Sequence, residues 1–212
     1  LKNIDKALKK AKAGDTVAVC EGTYSGTFGI GYLQLKEPVK LYGSFSKDFA
    51  SRDVVETPTK FQPDNKSGAK SRKPLVAFKS KVDGAVIDGF VLDMGMRNSY
   101  HKSKGKPEGV GTGMLLLPPA KASGDKPTVE KPCLYIPSSS KEGDIRISNN
   151  VFANCAMGGI LAGLRGGKLS VTNNVFVANR MRAMEIYGTC RSRGGPKSHT
   201  KCADVEIAHN TI

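Results

Sequence analysis

The stretch IRISNNVFANC at 145–155 returns almost intact as LSVTNNVFVANR at 169–180, and that repetition limits what the chain can become. Asn149-Asn150 falls on Asn173-Asn174, an offset of 24 (173 − 149). A third copy, VEIAHNTI, stands at the end of the sequence, with Asn210 in the place of Asn174 at an offset of 36 (210 − 174). The 12 additional residues fit a loop inserted into one repeat. A period in this range marks a supersecondary unit that buries its apolar side only against copies of itself.

Inside each copy the period is two. Ile145, Ile147 and Phe152 match Leu169, Val171 and Phe176, and then Val205, Ile207 and Ile212. Polar Arg146, Ser170 and Glu206 alternate with them, which is strand periodicity and not a helical face. The matched residues are therefore expected to stack inside a β-solenoid. The same offset aligns Gly159-Ile160-Leu161-Ala162 with Ala183-Met184-Glu185-Ile186, placing Ile160 on Met184 and Ala162 on Ile186, with Leu161 and Glu185 pointing out. Stacked strands lie about 4.8 Å apart, close enough for identical amides to hydrogen-bond along the stack. Asn also tolerates the left-handed backbone of a tight corner. The Asn pairs are read as such corners, and His209, in the place of a first Asn, as a corner residue and not a catalytic base.

An earlier coil is looser. VIDGFVLDMG at 86–95 carries Gly89-Phe90 where the later copies carry Asn pairs. Ile87 lies 60 residues before Ile147 (147 − 87), one period plus an insertion of 36, assigned to Met96–Glu142. That segment is rich in Lys, Ser, Gly and Pro and reads as a long excursion.

The opening LKNIDKALKKAKAGDTVAVCEGTYSG resembles the N-terminal cap and first coil of bacterial secreted or surface right-handed parallel β-helix proteins, the pectate-lyase-like group. The resemblance implies a cap helix at Ile4–Ala13, a Gly14-Asp15 turn, a strand at Thr16–Val19 and a corner at Gly22-Thr23-Tyr24. LYGSFSKDFASRDVVETPTKF is similar to a segment common in that group, through Arg52-Asp53 and Pro58-Thr59. The expected fold is all-β: one right-handed parallel β-helix domain over 1–212 with a short N-terminal capping helix. Solenoids need capped ends. The sequence begins at the helix and stops within a coil, so a longer parent chain, or partners covering the ends, is expected.

This fold hosts lyases, hydrolases, epimerases, adhesins and inert surface proteins, so function has to come from the site. The net charge is +14, concentrated around Lys66–Lys73, Lys102–Lys106 and Arg191–Lys201. Such loops suit an anionic polysaccharide or an acidic protein surface. Nucleic acid is not expected, for want of a recognition helix, zinc spacing or aromatic-basic motif. No apolar run is long enough to span a membrane. A uronate lyase needs a cation for the carboxylate and a base for the C5 proton, and its calcium-dependent forms gather acids on one strand face. Asp88, Asp93, Asp144, Asp204 and Glu206 are scattered, so no acidic cluster is visible and no cofactor is expected, with calcium kept as the alternative. Arg165, Lys168, Arg180, Arg182 and Glu185 form the candidate ligand-binding set, on neighbouring coils. The expected activity is non-catalytic: a structural, adhesive or glycan-binding surface protein, with a polysaccharide lyase as the alternative.

Of five cysteines, Cys190 and Cys202 flank the loop inserted into the third copy and are expected to form a disulfide. Cys155 is expected to pack inside as a small apolar side chain, and Cys133 and Cys20 have no assigned partner. The expected location is extracellular, periplasmic or on the cell surface.

Overall fold

The computed structural model describes residues 4–25, 33–62, 74–79, 81–94, 132–137, 143–155, 158–164, 166–179, 182–187, 190–191 and 201–212. Helix α1 (Ile4–Lys10) is followed by coils of three short strands each. The first coil holds β1 (Thr16–Cys20), β2 (Gly22–Tyr24) and β3 (Leu33–Leu35), and the second β4 (Lys40–Phe45), β5 (Thr59–Phe61) and β6 (Val76–Phe78). The third holds β7 (Ala85–Asp88), β8 (Phe90–Asp93) and β9 (Leu134–Ile136), and the fourth β10 (Ile145–Ser148), β11 (Val151–Ala153) and β12 (Ile160–Gly163). The fifth holds β13 (Gly167–Thr172), β14 (Val175–Val177) and β15 (Met184–Tyr187). A two-residue strand β16 (Cys190–Arg191) precedes the long β17 (Lys201–Ala208).

Corresponding strands of successive coils pair in parallel. They make three sheets, in the orders β1-β4-β7-β10-β13-β17-β16, β2-β5-β8-β11-β14 and β3-β6-β9-β12-β15. This is a right-handed parallel β-helix. Its interior is a set of side-chain columns. In the first sheet Val17, Leu41, Ile87, Ile147, Val171 and Ile207 lie in one register. In the second, Phe61, Leu92, Phe152 and Phe176 do so, with the last two rings stacked 4.9 Å apart. In the third, Ile160 meets Met184 and Ala162 meets Ile186, as the offset of 24 requires. Burying each such aliphatic or aromatic side chain contributes roughly 1.5–3 kcal/mol, and only stacking supplies the burial.

Several local expectations change. The helix ends at Lys10 and not Ala13, because Asp15 turns the chain by accepting from the Lys12 amide at 2.8 Å. Gly22-Thr23-Tyr24 is a strand and not a corner, since it pairs residue for residue with Thr59-Lys60-Phe61. Strand β9 lies within the stretch assigned to the excursion. The third coil still needs a strand for the third sheet, and Leu134 and Ile136 supply its buried pair. Val205 and Ile207 keep their register with Leu169 and Val171, but they are 39 % and 52 % exposed in the last described coil. Ile212 is 84 % exposed and does not join the Phe152/Phe176 stack. There the pairing is reduced to one bridge, Val175 to Thr211.

The two members of each Asn pair do different jobs. Asn149 and Asn173 take positive φ (57° and 55°), and His209 takes the same conformation (56°), so all three are corner residues. Asn150, Asn174 and Asn210 form the ladder. The Asn150 amide N–H and Nδ2 each donate to Asn174 Oδ1 at 3.0 Å, and the Asn174 N–H and Nδ2 donate to Asn210 Oδ1 at 2.9 and 3.0 Å. Asn150 Oδ1 in turn accepts from the Phe90 amide at 3.0 Å, so the ladder ends where Gly89-Phe90 replaces the pair. Gly89 supplies the corner there, at φ 78°.

Cys133 and Cys155 form a disulfide with 5.5 Å between their Cα atoms. Cys155 is thus buried as half of a cross-link and not as an apolar filler. With 96–142 read as an excursion, Cys133 had no position in the solenoid; β9 places it beside the fourth coil.

Candidate functional site

The outer surface of the first sheet carries two aligned columns that include charged and polar residues. Alternation sends every second residue of a strand outward, and parallel register aligns those residues along the axis. One outward column runs Thr16, Lys40, Val86, Arg146, Ser170, Glu206. The next runs Ala18, Tyr42, Asp88, Ser148, Thr172, Ala208.

Toward β17 the charges compensate one another. Lys168 Nζ lies 3.0 Å from Glu206 Oε2, and Ser170 Oγ donates to the same oxygen at 3.1 Å. The hydrogen bonds from Lys168 and Ser170 hold the Glu206 carboxyl below its ordinary range. The same bond to Glu206 raises the Lys168 ammonium above its own. Neither group moves toward neutrality.

Asp88, in the middle of the sheet, is 3 % exposed. Its carboxylate accepts from Arg52, Ser148 Oγ and Asn149 Nδ2. Arg52 also donates through Nε to the Gly43 carbonyl at 2.8 Å and lies over the Tyr42 and Phe45 rings. It pins the loop between β4 and β5 to the sheet. A buried carboxylate with its acceptor sites filled is structural. Asp93, at the end of β8, is held by Lys60 Nζ at 2.8 Å, Gln62 Nε2 at 3.2 Å and Asn154 Nδ2 at 2.9 Å.

Toward β4 the balance differs. Lys40 and Arg146 are exposed and separated by one strand, so their Cα atoms lie about 9.5 Å apart. Neither pairs with a carboxylate among the described residues. Arg146 Nη2 donates to Tyr42 Oη at 3.2 Å, reaching across β7. Lys40, Tyr42 and Arg146 thus offer two cations and a phenol on one face of the sheet.

Of the described members of the candidate set read from sequence, Arg182 and Glu185 are paired and Lys168 lies on a different sheet. Lys168 sits on the first sheet with Glu206. Glu185 sits on the third, and Arg182, just ahead of β15, lies 2.7 Å from it in an ion pair of their own. Arg165 and Arg180 lie outside the described residues. Of Lys40, Tyr42 and Arg146 only Arg146 was marked in the sequence as an outward position, with Ser170 and Glu206; that register carried back by 60 residues reaches Val86 of β7 and stops short of β4. Among the described residues no three His, Cys, Asp or Glu side chains gather to hold a metal ion. No described helix is long and apolar enough to cross a membrane.

A concave feature lies at the α1 end: a cleft of about 450 Å³ between Ile4, Ala7 and Ala11 of the helix and Val17, Val19 and Cys20 of β1. Cys20 is a free thiol there, 3.3 Å from Tyr24 Oη. Tyr24 also donates to the Cys20 carbonyl at 3.0 Å, and burial, with Cys20 alongside, pushes its phenol well above the ordinary value.

Parallel coils around a columnar core, with polar columns outside, define a β-helix repeat protein. Residues 1–183 match a family described as a protein of unknown function (DUF1565), and the chain belongs to that family. No curated protein and no solved structure matches.

Proposed function

We propose that the chain is a non-catalytic β-helix of a cell surface or envelope, akin to the pectate-lyase-like group in architecture, that binds an anionic polysaccharide. The observation that carries this reading is the charge balance on the outer faces. Asp88, Asp93, Glu206, Glu185 and Glu37 each lie against a cation of the chain. Among the described residues Lys40 and Arg146 are left without a carboxylate partner on one sheet face, within a chain of net charge +14. A polymer bearing one carboxylate or sulfate per sugar or disaccharide can meet both along the axis. The Cys133–Cys155 bridge supports an extracellular, periplasmic or surface location, since stable disulfides belong to oxidising compartments.

The non-catalytic part is supported by two carboxylates of the first sheet. Asp88 accepts from Arg52, Ser148 and Asn149, and Glu206 from Lys168 and Ser170, so each is engaged by the chain's own donors and not held free as a general base.

The test is binding to alginate, chondroitin sulfate and neutral dextran across salt from about 0.05 to 1 M, over which the Debye length falls from more than 10 Å to about 3 Å. Binding to the two acidic polymers, lost at high salt and weakened in K40Q/R146Q, is expected. Salt-insensitive binding to dextran would overturn the electrostatic reading. Binding only to acidic proteins would replace the ligand class. Release of unsaturated uronates would establish a lyase.

A further inference from the structure

Strands β16 and β17 are the only antiparallel strand pair among the described residues, and their register sets Cys190 directly opposite Cys202. Directly opposed residues of an antiparallel ladder have Cα atoms about 4.5 or 5.5 Å apart, depending on their hydrogen bonding. Both values fall within the span that a disulfide bridges, about 4.4–6.8 Å. The backbone therefore needs no rearrangement. A second, independent observation is that the same chain already carries the Cys133–Cys155 bridge, so it reaches its fold where thiols are oxidised. The remaining cysteine, Cys20, ends β1 in the first coil, at the far end of the stack.

We propose that Cys190 and Cys202 form a cross-strand disulfide that closes the neck of the basic segment 192–200. The two thiols lose two protons and two electrons as the S–S bond forms. The acceptor is a disulfide, either of an oxidoreductase or of oxidised glutathione, which is reduced to two thiols by exchange. The clasp ties β16 to β17 covalently at the edge of the first sheet.

The test uses the whole chain, folded with oxidised glutathione, alkylated and digested with trypsin without reduction. Residues 183–191 and 202–212 are tryptic peptides, each with a single cysteine, and the peptides holding Cys133 and Cys155 are distinct from them. The expected result is a linked pair of 183–191 with 202–212 that separates on reduction. Finding Cys190 and Cys202 both alkylated while the Cys133–Cys155 link is intact would overturn the proposal, as would a link from either one to Cys20. The double variant C190S/C202S, which keeps the buried bridge, supplies a second readout. Tryptic cutting after Arg193 and Lys197 in the native protein is expected to be at least about fivefold faster in that variant, because a clasped segment opens less often. Equal rates would show that no cross-link restrains the segment.

Discussion

Replacing Asn174 by Ala strips hydrogen bonds from the turns on both sides of it. Its Nδ2 lies 3.0 Å from the carbonyls of Ile147 and Thr172, and its Oδ1 receives the amide of Asn150. Buried partners left unmatched cost about 2–3 kcal/mol, so the urea midpoint of N174A is expected to fall by a corresponding amount. Asn173→Gly should change stability by only a few tenths, since φ at this position is 55°, whereas Asn173→Val should lose more than about 1 kcal/mol. Adjacent identical letters do not reveal this division of roles. The hint was His209, which replaces a first Asn and never a second. Arg52→Ala would leave Asp88 buried without its cation, a loss of roughly 3 kcal/mol by the same denaturation experiment. That pair was not legible: its members lie 36 residues apart, outside any shared copy of the repeat. Glu206 gives the pH dependence. Its folded pKa is depressed, so its contribution is present above the unfolded value near pH 4.3 and is lost as pH falls through the folded one. The side chain is exposed, so the effect is small and salt-sensitive. A carboxyl NMR titration should put the Glu206 midpoint below that of an unpaired glutamate.

Coil boundaries set the next scale. A Cβ at Gly159 would stand 2.6 Å from the Phe176 ring and 2.8 Å from the Ala183 carbonyl. G159A therefore has to push apart the fourth and fifth coils, at a cost of about 1–3 kcal/mol, read as a lowered Tm. The strands of the fourth and fifth coils were legible because those coils are close copies. Strand β9 was not, because the excursion before it hid the period. Neither Leu134 nor Ile136 has a match at 24 or 36 within a recognisable motif, although they pair with Ile160 and Ala162 in space. The Cys133–Cys155 bridge went unread for the same reason. Removing it in C133A/C155A opens a loop whose ends are 22 residues apart, for a loss of about 3 kcal/mol on the chain-entropy account.

At the scale of the molecule, the repeat disclosed the fold because a solenoid shows its architecture in the period of its sequence. The outward face was legible only in part. Arg146, Ser170 and Glu206 lie in the well-copied coils, while Lys40 and Tyr42 lie in coils whose letters have diverged. The placing of Lys40, Tyr42 and Arg146 on one face follows from register, so no local motif announces it. If that face binds a charged polymer, the logarithm of the binding constant should fall steadily with the logarithm of salt, and K40Q/R146Q should flatten the slope. One more property follows from the bridge between the third and fourth coils. Pulling the two ends of the chain apart stretches the stack along its own axis. Each coil touches only its neighbours, so extension peels coils away one at a time. The covalent tie stops that peeling at a single boundary and withholds 22 residues, about 70 Å of contour, from the stretched chain. Force spectroscopy of oxidised C190S/C202S, in which this bridge alone remains, should show a final length shorter by that amount, regained on reduction, so that redox state sets how far the molecule can extend under load.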